Sequence, residues 1–370
     1  MGVSSEAAVD PGRGSRSRVL AVVASSGLGG GIERFVTGTL ERVAEFCDLE
    51  VFSPADKSSL SGVLKKLHFV RHLYRKISKT PYDHVMVFHE DLLPVVGAIR
   101  RVNRSRFSLS CVYYGIDIWM SSPVDSFIGR RVKHTPIAIS SFSAGAVTAR
   151  LKSIPFVLPP PIPSRWFEQL RLIGVQRVPR ANDLPLRVVS VFRLDAAKQK
   201  GARLLVQAVA ELVAAGFDVE LCLAGKGPAP DWLLTLLADK GWARLVESPS
   251  DLELAEVYRS SDVMALCSLD GPGSGNDVEG FGTVLAEASL SGLAVIGPGF
   301  GGSTDAILDG VTGLFLNDTS VDCIYSRLRA IAEDRDLVTS FGAKGHHWVA
   351  GEFSSEAFRE RVSSLLAHLL

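Results

Sequence analysis

Two glutamates eight residues apart, Glu279 and Glu287, bracket the stretch of this 370-residue chain best suited to chemistry, Asp277-Val-Glu-Gly-Phe-Gly-Thr-Val-Leu-Ala-Glu287. The residues after Gly282 predict a helix, with Glu287 set among Val284, Leu285, Ala286, Ala288 and Leu290. A charge in such apolar company costs on the order of several kcal/mol unless it is paired or meets a ligand. Glu279 stands just before the helix, where Gly280 and Gly282 let backbone N–H groups approach a ligand closely. Two acceptors flanking exposed donors suit a polyhydroxylated ligand. A helix cap plus one satisfied buried glutamate is the other reading of the same residues.

A second group lies upstream. The predicted strand Val188–Phe192 runs into Arg193-Leu-Asp-Ala-Ala-Lys198-Gln-Lys200-Gly201 and then a helix. In a parallel sheet these residues stand at the carboxyl edge, where ligands bind. Arg193 and Lys200 then flank a helix N-terminus, and two cations with a helix dipole suit a diphosphate. Each close charge pair there contributes up to ~4 kcal/mol at a surface-like dielectric, before desolvation. Taken alone, two solvated basic residues at a helix start explain them as well. Glycine turns recur at later strand ends, at Gly225–Gly227, Gly299–Gly302 and Gly310–Gly313. Their concentration with both carboxylates at one sheet edge weighs more than any single motif.

The elements that must position these groups form two series. In the first half the predicted strands are 19–24, 49–52, 84–88, 107–113 and 136–140, alternating with helices at about 32–46, 60–78, 92–102 and 142–151. Five prolines between Pro155 and Pro163 precede a second series that starts at Arg187. The resulting division is a disordered tail at 1–16, a Rossmann-like domain at 17–165, a linker at 166–185 and a second such domain at 186–352. A helix at 353–370 is expected to pack back on the first domain. The first glycine turn, Gly27-Leu-Gly-Gly-Gly-Ile32, nearly makes a dinucleotide fingerprint, with Glu50 at the end of the next strand, but Ile32 occupies the third glycine position.

Apolar residues make up 46 % of the chain, enough for two cores, and the net charge is zero. The halves differ: residues 1–180 hold 25 Lys and Arg against 14 Asp and Glu, and residues 181–370 hold 15 against 26. A basic first half suggests an anionic surface or acceptor, or only a matching partner domain. The stretch 60–79 places Lys65, Lys66, Arg71, Arg75, Lys76 and Lys79 opposite an apolar face. It reads either as a helix on an anionic membrane or, more ordinarily, as one packed on its own sheet with a solvated basic face. The five scattered cysteines include no CxxC pair and suit a reducing compartment. No apolar run reaches the ~18 residues of a membrane span, and no nucleic-acid-binding module is recognisable.

At this point the chain resembles the retaining nucleotide-sugar glycosyltransferases of glycosyltransferase family 4, which have the GT-B fold. Four blocks carry the resemblance: Gly29-Gly-Gly-Ile-Glu-Arg-Phe35; Ser190-Val-Phe-Arg-Leu-Asp195 with Lys200-Gly201; Glu279-Gly-Phe-Gly with Glu287-Ala-Ser-Leu-Ser-Gly292; and Gly301 to Gly313. It implies an α/β protein of two doubly wound domains facing across a cleft. The implied roles are Arg193 and Lys200 on the donor diphosphate, with Lys198 a rival for that place, and Glu287 on the ribose. Glu279, Gly280 and the N–H groups of Phe281 and Gly282 meet the sugar, and Gly30 and Gly31 bring backbone near the phosphates. Arg193, Lys200 and Glu279 are the catalytic candidates. The family often has a His-Gly after the fourth strand; here Tyr114 takes the histidine position, so Tyr114, Asp117 and His89 are the candidates near the sugar or acceptor. Asp305 stands where the family usually has glutamate.

The expectation is therefore a metal-independent, cytoplasmic retaining glycosyltransferase, possessing no cofactor beyond its nucleoside diphosphate sugar. It moves a hexosyl group to a hydroxyl of a glycan, a lipid-linked sugar or a small natural product, with peripheral contact at the inner membrane face through the 60–79 helix. Base selection is assigned to Lys226 and the Glu247–Ser250 loop. An NAD(P)-dependent oxidoreductase and a catalytically silent GT-B binding protein are the alternatives.

Overall fold

The computed structural model describes residues 16–23, 31–53, 62–114, 131–269 and 279–370. The expected tail at 1–16 falls outside them except for Arg16, and Gly30 and Asp117 lie outside them altogether. Short apolar runs with both faces covered build the strands. Val19, Leu20, Ala21 and Val22 of β1 (Arg18–Val22) are all buried, as are all four residues of β3 (His84–Val87), the pattern of parallel strands under helices. With β2 (Asp48–Phe52), β4 (Ser108–Tyr113), β5 (Thr135–Ala138) and β6 (Phe156–Val157) they form one sheet in the order β2-β1-β3-β4-β5-β6. The second sheet holds β7 (Leu186–Val191), β8 (Val219–Gly225), β9 (Ala243–Glu247), β10 (Val263–Ala265), β11 (Ala294–Pro298) and β12 (Gly313–Leu316), in the order β12-β11-β10-β7-β8-β9. Every pairing is parallel.

Strand order reverses between β1 and β3 in the first sheet and between β7 and β10 in the second. In doubly wound sheets the ligand crevice opens at that reversal, outside the carboxyl ends of the strands. The flanking helices of the first domain are α1 (Gly31–Phe46), α2 (Gly62–Lys79), α3 (Leu93–Val102) and α4 (Ser141–Leu151). Those that follow are α5 (Ser164–Val175), α6 (Ala202–Ala214), α7 (Asp231–Leu237), α8 (Asp251–Ser260), α9 (Thr283–Leu290), α10 (Val321–Glu333), α11 (Asp336–Glu352) and α12 (Ser355–Leu369).

Two elements cross between the domains. The stretch expected to be a linker carries α5, whose Trp166, Phe167, Leu170 and Ile173 are buried against α8, α9 and α11; only 176–185 lacks regular structure. Apolar side chains at i, i+1, i+4 and i+7 make one buried helical face despite the prolines before it. In the other direction α12 packs on α1 and β4, with Arg359 paired to Glu45 and lying over Phe46. Apolar packing is continuous across the junction, since residues of both sheets share one core with Leu170, Phe281, Phe353 and Val362.

Glu50 sits in the middle of β2, not at its end, and its carboxylate takes Lys76 and the Tyr82 hydroxyl. That placement removes the acid a dinucleotide site needs at the strand end. The apolar face expected for the 60–79 helix is also divided. Leu73 and Ile77 are buried, while Leu64, Leu67 and Tyr74 are exposed with Arg71 and Arg75 on the outer face. Among the described residues no helix is long and apolar enough to cross a membrane.

Candidate active site

The loop after β7 is held against the end of β10 by a close backbone approach. Gly201 has φ +67°, and a Cβ there would overlap the Cys267 carbonyl oxygen. The Leu269 N–H donates to the Gln199 carbonyl at 2.8 Å. This fastening sets Lys200 at the β7–β10 crevice, where its Nζ lies 2.5 Å from Glu279 Oε2. The same oxygen accepts from the Ser268 hydroxyl at 3.1 Å. Burial works to raise the Glu279 pKa, but Lys200, Ser268 and the Gly282 N–H together hold it below the usual glutamate value. Glu279 is therefore a carboxylate with Lys200 as its counter-charge.

Lys198 is exposed and lines a separate pocket with Trp232 and Leu269. Arg193 also turns outward. Its side chain is 65 % exposed and grips Asp195, with Nε 3.1 Å from Oδ1. The side chain of Asp195 raises the Arg193 pKa.

Backbone approach fixes the sugar-side wall. Gly302 donates its N–H to the Glu279 carbonyl at 2.7 Å, and a Cβ on Gly302 would collide with the Gly280 carbonyl. A Cβ on Gly280 would lie 2.6 Å from the carbonyl oxygen of Tyr114, so the first domain meets the second at this residue. Gly282, at φ +78°, caps α9, and the Phe281 ring turns into the core against Phe353 at 5.5 Å between centroids. Tyr114 itself is 3 % exposed, its ring packed edge-on to Phe35 at 5.6 Å. Its carbonyl reaches the site, while its ring packs inward on Phe35. His89 caps a short 3-10 helix, its Nδ1 accepting the Asp91 N–H at 3.2 Å. Gly31 begins α1.

Glu287 is 1 % exposed and answers its charge across the domain junction. Arg34 of α1 donates to Oε1 at 2.9 Å and the Tyr258 hydroxyl donates to Oε2 at 3.3 Å. Burial nevertheless raises its pKa, against the pull of Arg34, the Trp166 indole and Tyr258. Thus the two glutamates of one motif are shifted in opposite directions. Asp305 also bridges the domains, accepting the Ser141 N–H at the start of α4 at 2.6 Å. Its shorter side chain thus meets a helix N-terminus, where a carboxylate is favoured.

The spacing of the motifs does not single out Arg34, Ser268 or Tyr258, and Asp305 is marked by the resemblance alone. The signal for Arg34 was the demand itself, since a buried Glu287 requires a cation. The loop expected to select the base is tied down by Glu247 Oε2 and Ser248 Oγ, which accept the Ala229 and Gly227 N–H groups at 2.9 and 3.1 Å. Among the described residues no three His, Cys, Asp or Glu side chains are grouped to hold a metal ion.

Two predictions follow from the opposed glutamates. Arg34→Ala leaves Glu287 buried without its cation and should cost ~3 kcal/mol in chemical denaturation. Adding Glu287→Gln should recover part of that loss; additive losses would show that the pair does not couple the domains. For Glu279, lowered below its ordinary value of 4.5, the stabilisation is present above that value and is lost as pH falls through the folded one. The stability gap between the wild type and Glu279→Gln should shrink from pH 7 to below pH 4; a constant gap would contradict an ionised Glu279.

A family model described as Glycosyl transferases group 1 matches residues 185–334. A GDP-mannose-dependent alpha-(1-6)-phosphatidylinositol monomannoside mannosyltransferase of Mycolicibacterium smegmatis is 32 % identical over 184 residues, 49 % of this chain and 47 % of the relative. A D-inositol 3-phosphate glycosyltransferase of Corynebacterium aurimucosum is 31 % identical over 205 residues, 52 % of this chain and 46 % of the relative. The chain thus spans about half the length of the curated relatives it matches. Among solved structures, Anabaena HepE in complex with UDP and glucose superposes with TM-score 0.71 at 16 % identity, covering 95 % of this chain and all of that one. The sucrose-phosphate synthase of Thermosynechococcus elongatus gives TM-score 0.73 at 18 % identity, covering 96 % and 99 %. The fold is GT-B, two Rossmann-like domains facing each other, and residues 185–334 in the second domain are similar to the Glycosyl transferases group 1 family.

Proposed function

We propose that this protein is a retaining glycosyltransferase that moves a hexosyl group from a nucleoside diphosphate sugar to a hydroxyl acceptor. The observation that carries the reading is the Lys200–Glu279 pair at the β7–β10 crevice, beside the Gly280 approach of the first domain. Lys200, Arg193 and the N-terminus of α6 supply positive charge for a leaving diphosphate. Glu279 and the α9 N-terminus supply acceptors and donors for sugar hydroxyls. Glu287 is reached by a ribose when Arg34 gives way, because the carboxylate is otherwise covered.

No divalent metal is required where these cations neutralise the departing charge. The acceptor oxygen bonds to the anomeric carbon on the face from which the diphosphate leaves. The carbon–oxygen bond to the diphosphate breaks, and the acceptor proton passes to the departing phosphate oxygen. GDP-mannose is the first donor to test, and an inositol phosphate or inositol glycolipid the first acceptor, because two relatives are named for these substrates. Contact with an anionic membrane through α2 suits a lipid-bearing acceptor: Leu64, Leu67, Arg71, Tyr74 and Arg75 are all exposed on it.

GDP-mannose should raise the Tm without added metal, and Lys200→Ala should abolish the shift. Arg193→Ala should lower turnover by ~10²-fold. If NAD(H) or NADP(H) alone shifts the Tm, the reading is wrong. In sedimentation with vesicles containing anionic lipid, the Arg71→Glu, Arg75→Glu variant should bind at least ~10-fold more weakly. Equal binding by the variant and the wild type would take α2 out of the membrane contact.

A further inference from the structure

A cavity of about 200 Å³ opens at the amino edge of the second sheet, opposite the crevice. It lies between the segment 176–185, which leads from α5 into β7, and α11, which leads toward α12. Both routes by which the chain passes between the domains therefore form its walls. A close approach holds them together: a Cβ on Gly174 would overlap the His346 ring and the Leu290 carbonyl.

The charges in this cavity do not balance. Arg177, Arg180 and Arg335 line it with Asp262, the single acid among the lining residues. Asp262 is 3 % exposed, and its Oδ2 takes Arg180 at 2.8 Å, Arg335 at 3.5 Å and the Arg187 N–H at 2.9 Å. Arg177 donates to the carbonyl oxygens of Ser291 at 3.0 Å, Ser261 at 2.8 Å and Tyr258 at 2.9 Å. Three guanidinium groups against one carboxylate leave two positive charges in a mostly covered space. Burial pushes Arg177 down to about 10 and lowers Arg335 as well, against the pull of Asp262 on both. Carbonyl dipoles satisfy N–H groups but do not cancel charge. A phosphate does both, because two of its oxygens accept the paired N–H groups of the planar guanidinium fork.

We propose that this cavity binds a small phosphate monoester or inorganic phosphate between Arg177, Arg180 and Arg335, and that its occupancy fixes the segment joining the two domains. The site is separate from the crevice and does not depend on which reaction the crevice performs. An open volume of this size admits a phosphate with at most a small polyol, and excludes a nucleotide.

The test is calorimetric titration of the full chain with inorganic phosphate and with a hexose phosphate, at constant ionic strength. Wild type and Lys200→Ala should bind with equal affinity, and Arg335→Gln at least ten-fold more weakly. Thr339→Glu sets a carboxylate at the cavity rim in the first turns of α11, where it should fold well and also lose the phosphate. Preference for the hexose phosphate would identify the monoester as the ligand, and equal affinity would identify the phosphate group alone; either supports the site. Absence of saturable binding, undiminished binding in both cavity variants, or loss of binding in Lys200→Ala would overturn it. Amide exchange across 176–185 should slow when phosphate is bound; unchanged exchange with saturated protein would overturn the coupling to the joining segment.

Discussion

The burial of one carboxylate organises this molecule. Glu287 lies on a short apolar helix at 1 % exposure, with the Tyr258 hydroxyl from its own domain and the Trp166 indole of α5 beside it. The charge that answers it comes from Arg34, 253 residues earlier, on the first helix of the other domain. A buried ion pair adds little net stability, but removing one partner is expensive. The pair therefore acts mainly as a constraint: arrangements that separate α1 from α9 leave a charge to be hydrated or neutralised.

The rest of the junction is compatible with that constraint. Apolar residues of both sheets share one core, and α5 and α12 each pack across from the domain that precedes them in sequence. Asp305 places a carboxylate on the N-terminus of α4, and the Tyr114 carbonyl fits over a glycine that has no Cβ to block it. These are short-range contacts with a defined geometry. Each contributes modestly, and together they bring the two sheet edges into register over the crevice. The site is thus a property of the junction as much as of the second domain.

Much of this architecture was legible in the sequence because local and global signals agreed. The apolar run at Val19, the glycine turns and the loop from Arg193 to Gly201 give the strands, their direction and the crevice edge. The buried setting of Glu287 could be read from Val284 to Leu290, although its partner could not, because nothing local links Arg34 to it. Helix α11 was hidden for a different reason. Gly342, Gly345 and Gly351 lower its helix propensity, yet the first two are where it packs closely, Gly342 against the Gly292 carbonyl and Gly345 against Ser289. Tertiary packing there favours the residues that local propensity disfavours. Helix α5 was obscured by the prolines before it, and the division of α2 into buried and exposed apolar residues is set by tertiary packing, which includes α3. Tyr114 illustrates the same limit: sequence position put it at the strand end, but only packing against Phe35 decides that its ring faces inward.

The charge pattern of the crevice bears on how it would hold the proposed diphosphate. Arg193 and Lys200 each already have a carboxylate, Asp195 and Glu279 respectively. A diphosphate arriving at this edge meets two ion pairs, not two bare cations, and it must take their place. The favourable energy is then a difference between two paired states, smaller than the Coulomb sum for isolated charges suggests. Exchange is easier at Arg193, which is exposed and paired to a neighbour in sequence, than at Lys200, whose partner is also fixed by Ser268 and a backbone N–H. That asymmetry suits a clamp in which Arg193 swings onto the ligand while Lys200 keeps its position between Glu279 and the departing charge. The N-terminus of α6 adds attraction beyond the two ion pairs, whereas the Gly282 N–H at the start of α9 already donates to Glu279.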